Sequence, residues 1–196
     1  AMARRETWAT SGTRMVVRVF GGFDFANARP GAKDWVRVGY RKGVPMGGDL
    51  NRAAKGAAPQ LMIAASRDPN SGNLDRVQVI KGWVDATGKS HDRIYDVVWS
   101  GNRKIGADGK LPAVGNSVDI KNASYTNTIG SPELSTVWKD PDFDPAVPAF
   151  YYVRVLEIPT PRWSTYDAKA LGIDPPKDFP ATIQERAWSS PIWYTP

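Results

Sequence analysis

The strongest constraint on the fold of this 196-residue chain is an alternation of apolar and polar side chains with a period of two. It is clearest over residues 13–20, where Met15, Val17 and Val19 share one face. A similar alternation marks residues 35–40. Because successive side chains of a β-strand point to opposite faces, this period predicts half-buried strands.

Other segments extend the strand pattern. Residues 61–65 form a continuous apolar run that is typical of a central strand buried on both faces. Residues 76–84 and 93–99 are predicted as strands joined by turn chemistry at 85–89. Further strands are predicted at 150–157 and 187–194, which we expect to be neighbours, with a weaker one at 118–125. About eight strands favour an all-β fold, namely a single antiparallel β-sandwich that is immunoglobulin-like.

Helical signals are few and short. A serine-first capping pattern at Ser164 predicts a helix that continues over 168–171 and ends at Gly172. A second short turn is predicted at 131–134, where a proline follows the serine. Residues 159–179 hold four of the sixteen prolines and are predicted to form a long ordered loop. We therefore expect one or two short helical turns beside the strands.

The composition excludes several kinds of chemistry. The chain has no cysteine, which rules out disulfides, thiolate metal sites and cysteine nucleophiles. Its net charge of +6 invites a nucleic-acid partner, but the basic residues occur singly or in pairs among acidic ones. A phosphate-binding surface usually needs several cations on one element. No apolar run is long enough to span a membrane. We expect neither nucleic acid nor membrane as a partner.

His91 is the single histidine of the chain. A Ser-His-Asp relay would have to use it, and so would any zinc site with imidazole ligands. It lies in the turn-like stretch 88–92, with no second histidine to share a metal. The sequence therefore predicts an exposed turn histidine.

Asp140, Asp142 and Asp144 alternate as at the start of a calcium-binding loop. The helix-loop-helix calcium site also needs glycine at its sixth position and glutamate at its twelfth. This chain has Pro145 and Tyr151 there. We predict an acidic turn stiffened by proline, with a weak cation site as the alternative.

Aromatic residues are the remaining signal: eight Trp, seven Tyr and six Phe. Arg162, Trp163 and Tyr166 lie in the proline-rich segment, and these residue types anchor protein interfaces. They are the interface candidates. The alternatives are that they stack on a sugar, or that Trp163 closes one end of its own core. Strand alternation assigns other aromatic residues to the core, namely Trp83, Trp99, Phe150 and Tyr152.

Long segments of the chain resemble a known family. They include "GVPMGGDL", "NLDRVQVIKGW", "YDVVWSGNRK", "VWKDPDFDP", "FYYVRVLEIPTPRWS" and "TIQERAWSSPIWYTP". They are similar to the C-terminal part of a family of large, mostly bacterial proteins, a domain of unknown function (DUF family 3604). The N-terminal part of that family resembles the metal-dependent hydrolase barrels of the polymerase-and-histidinol-phosphatase (PHP) type. The stretch "WATSG" at residues 8–12 is similar to the phrase that follows the last barrel helix.

The resemblance implies a division of the chain and a role. Residues 1–12 would be a junction from an N-terminal barrel, and residues 13–196 a single β-sandwich domain. The role implied is that of a non-catalytic accessory domain, which packs on the catalytic barrel of the same polypeptide. The family's expected metal ligands are histidines and acids of the barrel, so we expect no catalytic residue, cofactor or metal ligand here. The longer parent protein would be the candidate metal-dependent hydrolase.

Two alternatives come from other classes of function. One is a carbohydrate- or small-ligand-binding module that uses exposed aromatic side chains. The other is an autonomous enzyme, for which acids such as Glu157 and Glu185 are candidates for acid–base work. Members of the family often carry export signals upstream, which leaves a periplasmic or exported location open.

Overall fold

The computed structural model describes residues 1–25, 27–51, 53–54 and 56–196. These residues are mostly β, in several antiparallel sheets, with two short α-helices. In chain order, a 3-10 turn (Met2–Arg4) precedes β1 (Trp8–Thr10), β2 (Val16–Gly22), α1 (Trp35–Lys42), β3 (Gly43–Pro45), β4 (Asp49–Leu50), β5 (Gln60–Ser66), β6 (Leu74–Val84), β7 (Ser90–Trp99), β8 (Glu133–Lys139), β9 (Ala149–Glu157), β10 (Thr160–Pro161), α2 (Trp163–Leu171), β11 (Thr182–Ile183), β12 (Arg186–Ser189) and β13 (Ile192–Tyr194).

Strand β9 is the centre of a seven-stranded sheet. β6 pairs along one side of β9, and the hairpin partner β7 lies beyond β6. On its other side, β12 pairs with residues 154–156 and β13 with residues 149–151. β1 adds to β12, and β4 adds to β13 as a parallel neighbour. The hairpin predicted from residues 76–99 and the adjacency of the two late segments are confirmed.

A second sheet has four antiparallel strands in the order β3-β2-β5-β8. The apolar run of β5 lies between β2 and β8, as the sequence predicted for a central strand. One cluster of buried residues draws from both sheets, including Val17 and Ile63 from this sheet and Val79 and Val153 from the larger one. The predicted inward face of β2 is confirmed, because Met15, Val17 and Val19 are at most 2% exposed.

The predicted strand at residues 35–40 is wrong, because this segment forms helix α1. The rings of Trp35 and Tyr40 lie edge-on against Phe20, with centroids 5.7 and 4.9 Å away. Gly39 is buried beneath them, and a Cβ there would lie only 2.4 Å from the Phe20 ring. A short segment with this composition fits both the two-residue period of a strand and the 3.6-residue period of a helix. Packing on Phe20 selects the helix.

The predicted strand at 187–194 is divided into β12 and β13 at residues 190–191. Pro191 has no N–H to donate to a ladder, so continuous pairing along β9 is interrupted there. Ser189 Oγ instead accepts a 3.0 Å hydrogen bond from the Val153 N–H.

Three weaker predictions also differ from the structure. The segment 118–125 contributes a single bridge between Asp119 and Ser124, not a strand. The helical turn predicted at 131–134 is wrong, because residues 133–134 are the first two residues of β8. The loop predicted at 159–179 contains β10 and α2, so it holds more regular structure than its proline content indicated.

Residues 8–10, predicted as part of a junction, form β1 within the larger sheet. None of the helices in the described part of the chain is long and apolar enough to cross a bilayer.

Candidate functional surfaces

Helix α2 carries two of the three interface candidates, and the third immediately precedes it. Arg162 has extended backbone and occupies the N-cap, whereas Ser164 is the buried second residue of the helix and caps nothing. The predicted N-terminus was therefore placed too late. The predicted C-cap is confirmed: Gly172 has φ 68°, and its N–H bonds to the carbonyls of Ala168 and Lys169.

The inner side of α2 is fixed to the segment that follows it. Thr165 Oγ1 donates a 2.7 Å hydrogen bond to the Ala181 carbonyl. The Arg162 N–H donates to the same carbonyl at 2.9 Å, and Arg162 Nε donates to Pro180 at 2.9 Å. The pairing of β10 with β11 closes the loop behind the helix. These bonds hold the helix in one orientation.

The outer side of α2 is open to solvent and carries exposed apolar side chains beside the charged residues Asp167 and Lys169. Trp163 is 70% exposed and Tyr166 43% exposed, so the alternative that Trp163 closes its own core is wrong. Burial and the neighbouring Tyr125 raise the pKa of the Tyr166 hydroxyl. Leu171, Ile173 and Phe179 are also more than 60% exposed. We call these five exposed side chains the α2 surface: Trp163, Tyr166, Leu171, Ile173 and Phe179.

A second exposed surface lies on the outer face of the seven-stranded sheet. Along β9 the odd-numbered residues are buried and the even-numbered ones are partly exposed. Phe150 and Tyr152 therefore face outward, and their predicted place in the core is wrong by one residue of register. Tyr151 lies inward in their stead and is 1% exposed.

Phe150 belongs to a cross-strand row on this outer face. Gly82 pairs with both Asp92 and Phe150, so these residues lie side by side on three neighbouring strands. Trp193 pairs with Phe150 on the other side and with Asp49 beyond it. We call these five residues the aromatic row.

Gly82 lets the Phe150 ring lie down on the sheet. A Cβ at position 82 would lie 2.3 Å from Phe150 Cζ, so the tip of the ring fills the space above the glycine. The Trp193 ring is 5.2 Å from Phe150, and the Tyr152 ring is parallel to Phe150 within 12° at 6.5 Å. The Trp193 ring is tilted 49° to the Phe150 ring, so the three rings form an angled aromatic surface beside a cleft of about 560 Å³.

The two surfaces lie at opposite ends of β9. The aromatic row crosses β9 at Phe150, whereas α2 follows its last residue, Glu157. A strand of this length spans about 25 Å. Arg5 lies at the end that holds the aromatic row, where its guanidinium forms a 2.9 Å ion pair with Asp49.

Sequence comparison matches residues 1–196 to a family described as a protein of unknown function (DUF3604). The chain belongs to the DUF3604 family. Comparison with curated proteins and with solved structures finds no match.

In this DUF3604 chain His91 lies at the start of β7 and is not a free turn residue. Its Nε2 is 2.7 Å from Asp85 Oδ2, and its ring stacks on Trp83 with centroids 5.3 Å apart. Hydrogen bonds from Thr87 and then from His91 hold the pKa of the Asp85 carboxyl well below its usual range. The imidazole thus closes the hairpin turn through Asp85.

The acidic turn binds a cation of the protein itself. Asp140 is 3% exposed, and its Oδ2 accepts hydrogen bonds from Lys81 Nζ at 2.6 Å and from the Tyr151 hydroxyl at 2.7 Å. Asp142 Oδ2 accepts a 2.8 Å bond from the Tyr95 hydroxyl. Across the described residues, no group of three acids or histidines is placed to hold a metal ion.

Glu157 and Glu185 are neighbours through the backbone, since the Glu157 N–H bonds to the Glu185 carbonyl. Glu157 is fully buried and accepts a 2.7 Å bond from Ser71, whereas Glu185 is bonded to Ser11. Burial is the main cause that raises the pKa of the Glu157 carboxyl.

The sequence identified Trp163 and Tyr166 of the α2 surface through residue type, but it missed the other three members of that surface and the aromatic row. Gly82 and Trp193 lie 111 positions apart and meet Phe150 only through strand pairing. Residue types alone give no register between distant strands. The alternation within 149–157 was the signal that could have placed Phe150 outward.

Proposed function

We propose that this DUF3604 chain is a non-catalytic accessory domain that packs against another folded domain through the α2 surface. The exposed Trp163 is the observation that carries the proposal. The partner proposed is the PHP-like, metal-dependent hydrolase barrel of the same polypeptide, as the family resemblance implies. Catalytic residues and metal ligands would then belong to the barrel.

The α2 surface has the properties of a docking site. Tryptophan and tyrosine are enriched among the residues that anchor interfaces, and both are exposed here. Trp163 and Leu171 are 70% and 72% exposed on a helix whose other side is hydrogen-bonded in place. A preformed surface loses less conformational entropy on binding than a mobile loop does. A tryptophan buried at such an interface contributes about 2 kcal/mol or more.

We further propose that the two sheets form a β-sandwich of the immunoglobulin-like kind. The support is a buried cluster to which alternate residues of β2 and β5 contribute from one sheet and those of β6 and β9 from the other. This is the packing by which two sheets enclose a common core.

The docking proposal is tested by amide hydrogen exchange on residues 163–179. These amides should be more protected in the parent protein with its barrel than in this chain alone. Trp163→Ala should reduce that added protection and make the junction between the domains easier to cleave with protease. The melting temperature of the chain alone should not change, because Trp163 is mostly in solvent.

The matched control is Trp193→Ala, which removes another exposed tryptophan at the opposite end of β9. It should leave protection of 163–179 unchanged. Equal exchange of these residues with and without the barrel would overturn the docking proposal.

A further inference from the structure

We infer that the aromatic row and Tyr152 form a carbohydrate-binding site on the outer face of the seven-stranded sheet. The ligand class is a neutral oligosaccharide whose pyranose rings stack on Phe150 and Trp193. This site lies at the other end of β9 from α2, so the inference does not depend on docking of the α2 surface.

The first observation is that aromatic ring faces lie on this side of the sheet, with the Trp193 ring tilted 49° to the Phe150 ring. The space that Gly82 leaves is filled by the tip of Phe150, which lays that ring along the sheet. Tyr152, two residues along the same strand face, holds its ring plane within 12° of Phe150. Side chains of core aromatic residues stand between sheets, whereas these rings lie on an outer surface with Trp193 42% exposed beside them.

The second observation is the polar edge of the cleft. Its lining includes Ser90, Asp92 and Thr195, all of which are exposed to solvent. Hydroxyls both donate and accept hydrogen bonds, and a carboxylate accepts them. Aromatic faces beside such groups match a pyranose, which has C–H groups on its ring faces and hydroxyls around its edge. Ligand clefts commonly combine an apolar lining with a few polar groups of this kind.

The charges of the cleft argue against other ligand classes. Among its described lining residues, Asp92 is the only carboxylate, and there is no lysine or arginine to bind a phosphate or a carboxylate. Trp83, which forms part of the lining, is already stacked on His91 and lies 5.5 Å from Lys81 Nζ. An organic cation would therefore find fewer free ring faces than an aromatic cage provides.

The test is calorimetric titration of the chain with four neutral hexasaccharides: cellohexaose, xylohexaose, mannohexaose and maltohexaose. We expect at least one to bind. Trp193→Ala should weaken that binding at least about tenfold, the factor that corresponds to 1.4 kcal/mol. Asp92→Asn, an exposed substitution on β7, should weaken it as well while the far-UV circular dichroism spectrum stays unchanged.

The control is Trp163→Ala, which should bind the same sugar with unchanged affinity. Three results would overturn the inference: no heat of binding with any of the four sugars, equal affinity in Trp193→Ala, or equal loss in Trp163→Ala. Binding of choline to the cleft in place of the sugars would also overturn it, in favour of a cation site.

Discussion

Glu157 is an acid kept without accessible surface at the end of β9. Its Oε2 accepts a hydrogen bond from Ser71, but Oε1 has no partner among the described residues. Burial disfavours the charged form, so the pKa of this carboxyl is raised above its ordinary value of 4.5. The contribution of protonated Glu157 to folding stability is therefore complete below pH 4.5 and is lost as the pH rises through the folded-state pKa.

Glu157→Gln removes this charge, and the variant should have a higher melting temperature than the parent chain at pH 8. The difference should shrink toward zero as the pH falls below 4.5, where the acid is neutral in both states. Differential scanning calorimetry at several pH values measures it. Glu133→Gln, at an exposed position, is the control and should show little change. A variant destabilised at pH 8 would show that Glu157 is stabilising as a carboxylate.

Lys81 and Asp140 form a buried ion pair between β6 and the acidic turn, with side chains 7% and 0% exposed. Lys81→Met leaves the Asp140 carboxylate buried without its cation, which should lower the free energy of unfolding by about 3–5 kcal/mol. The double variant Lys81→Met with Asp140→Leu should lose much less, because no charge remains buried. Urea denaturation measures both. An equal loss in the two variants would indicate that packing, and not the unpaired charge, sets the cost.

At the scale of elements, long alternating segments were predictable and short ones were not. The inward face of β2 follows from its period because the strand is long enough to show several repeats. Helix α1 has only eight residues, and its apolar positions fit the period of a strand as well as that of a helix. The contact of Trp35 with Phe20, which the sequence does not show, decides between the two. The two-residue strand β4 carries no period at all, and its parallel pairing with β13 exists only in the assembled sheet.

The C-terminal end of α2 depends on the left-handed backbone conformation of one glycine, Gly172. Gly172 has φ 68°, and apart from its chain neighbours no heavy atom of the described residues lies within 4 Å of where its Cβ would be. Gly172→Ala therefore meets no clash, and its cost is that of a left-handed backbone with a Cβ, about 1–2 kcal/mol. Chemical denaturation measures this loss. Gly172→Asn should lose less, since asparagine tolerates this conformation, and an unchanged stability in Gly172→Ala would show that the helix end rearranges.

At the scale of the whole molecule, the strand-rich class was predictable because it depends on a pattern repeated along the chain. The partner of each strand was not, since pairing is decided by contacts between distant segments. The same division holds for the candidate sites. Trp163 was found from its residue type and proline-rich surroundings, and its docking role stays a prediction. The aromatic row could not be predicted from the sequence, because its prediction requires the register of four strand pairs.

The shared core predicts a large difference between two adjacent positions of β9. Val153 has no exposed surface, and Val153→Asp should destabilise the chain by at least about 4 kcal/mol and abolish cooperative folding. Tyr152→Asp, on the outer face, should cost much less and leave a strand-dominated far-UV circular dichroism spectrum. Equal damage from both substitutions would contradict the assignment of faces.

The strand pairing of the seven-stranded sheet determines when each strand can join it during synthesis of the chain. β1 lies at one edge with β12 as its partner, and the side chains of Thr7 and Ser190 meet across 183 positions of sequence. Such distant pairing makes folding slow and exposes unpaired strand edges during that time. A chain emerging from the ribosome therefore carries β9 with one edge open until residues 186–194 have been synthesised. That interval is when chaperone binding would protect it most.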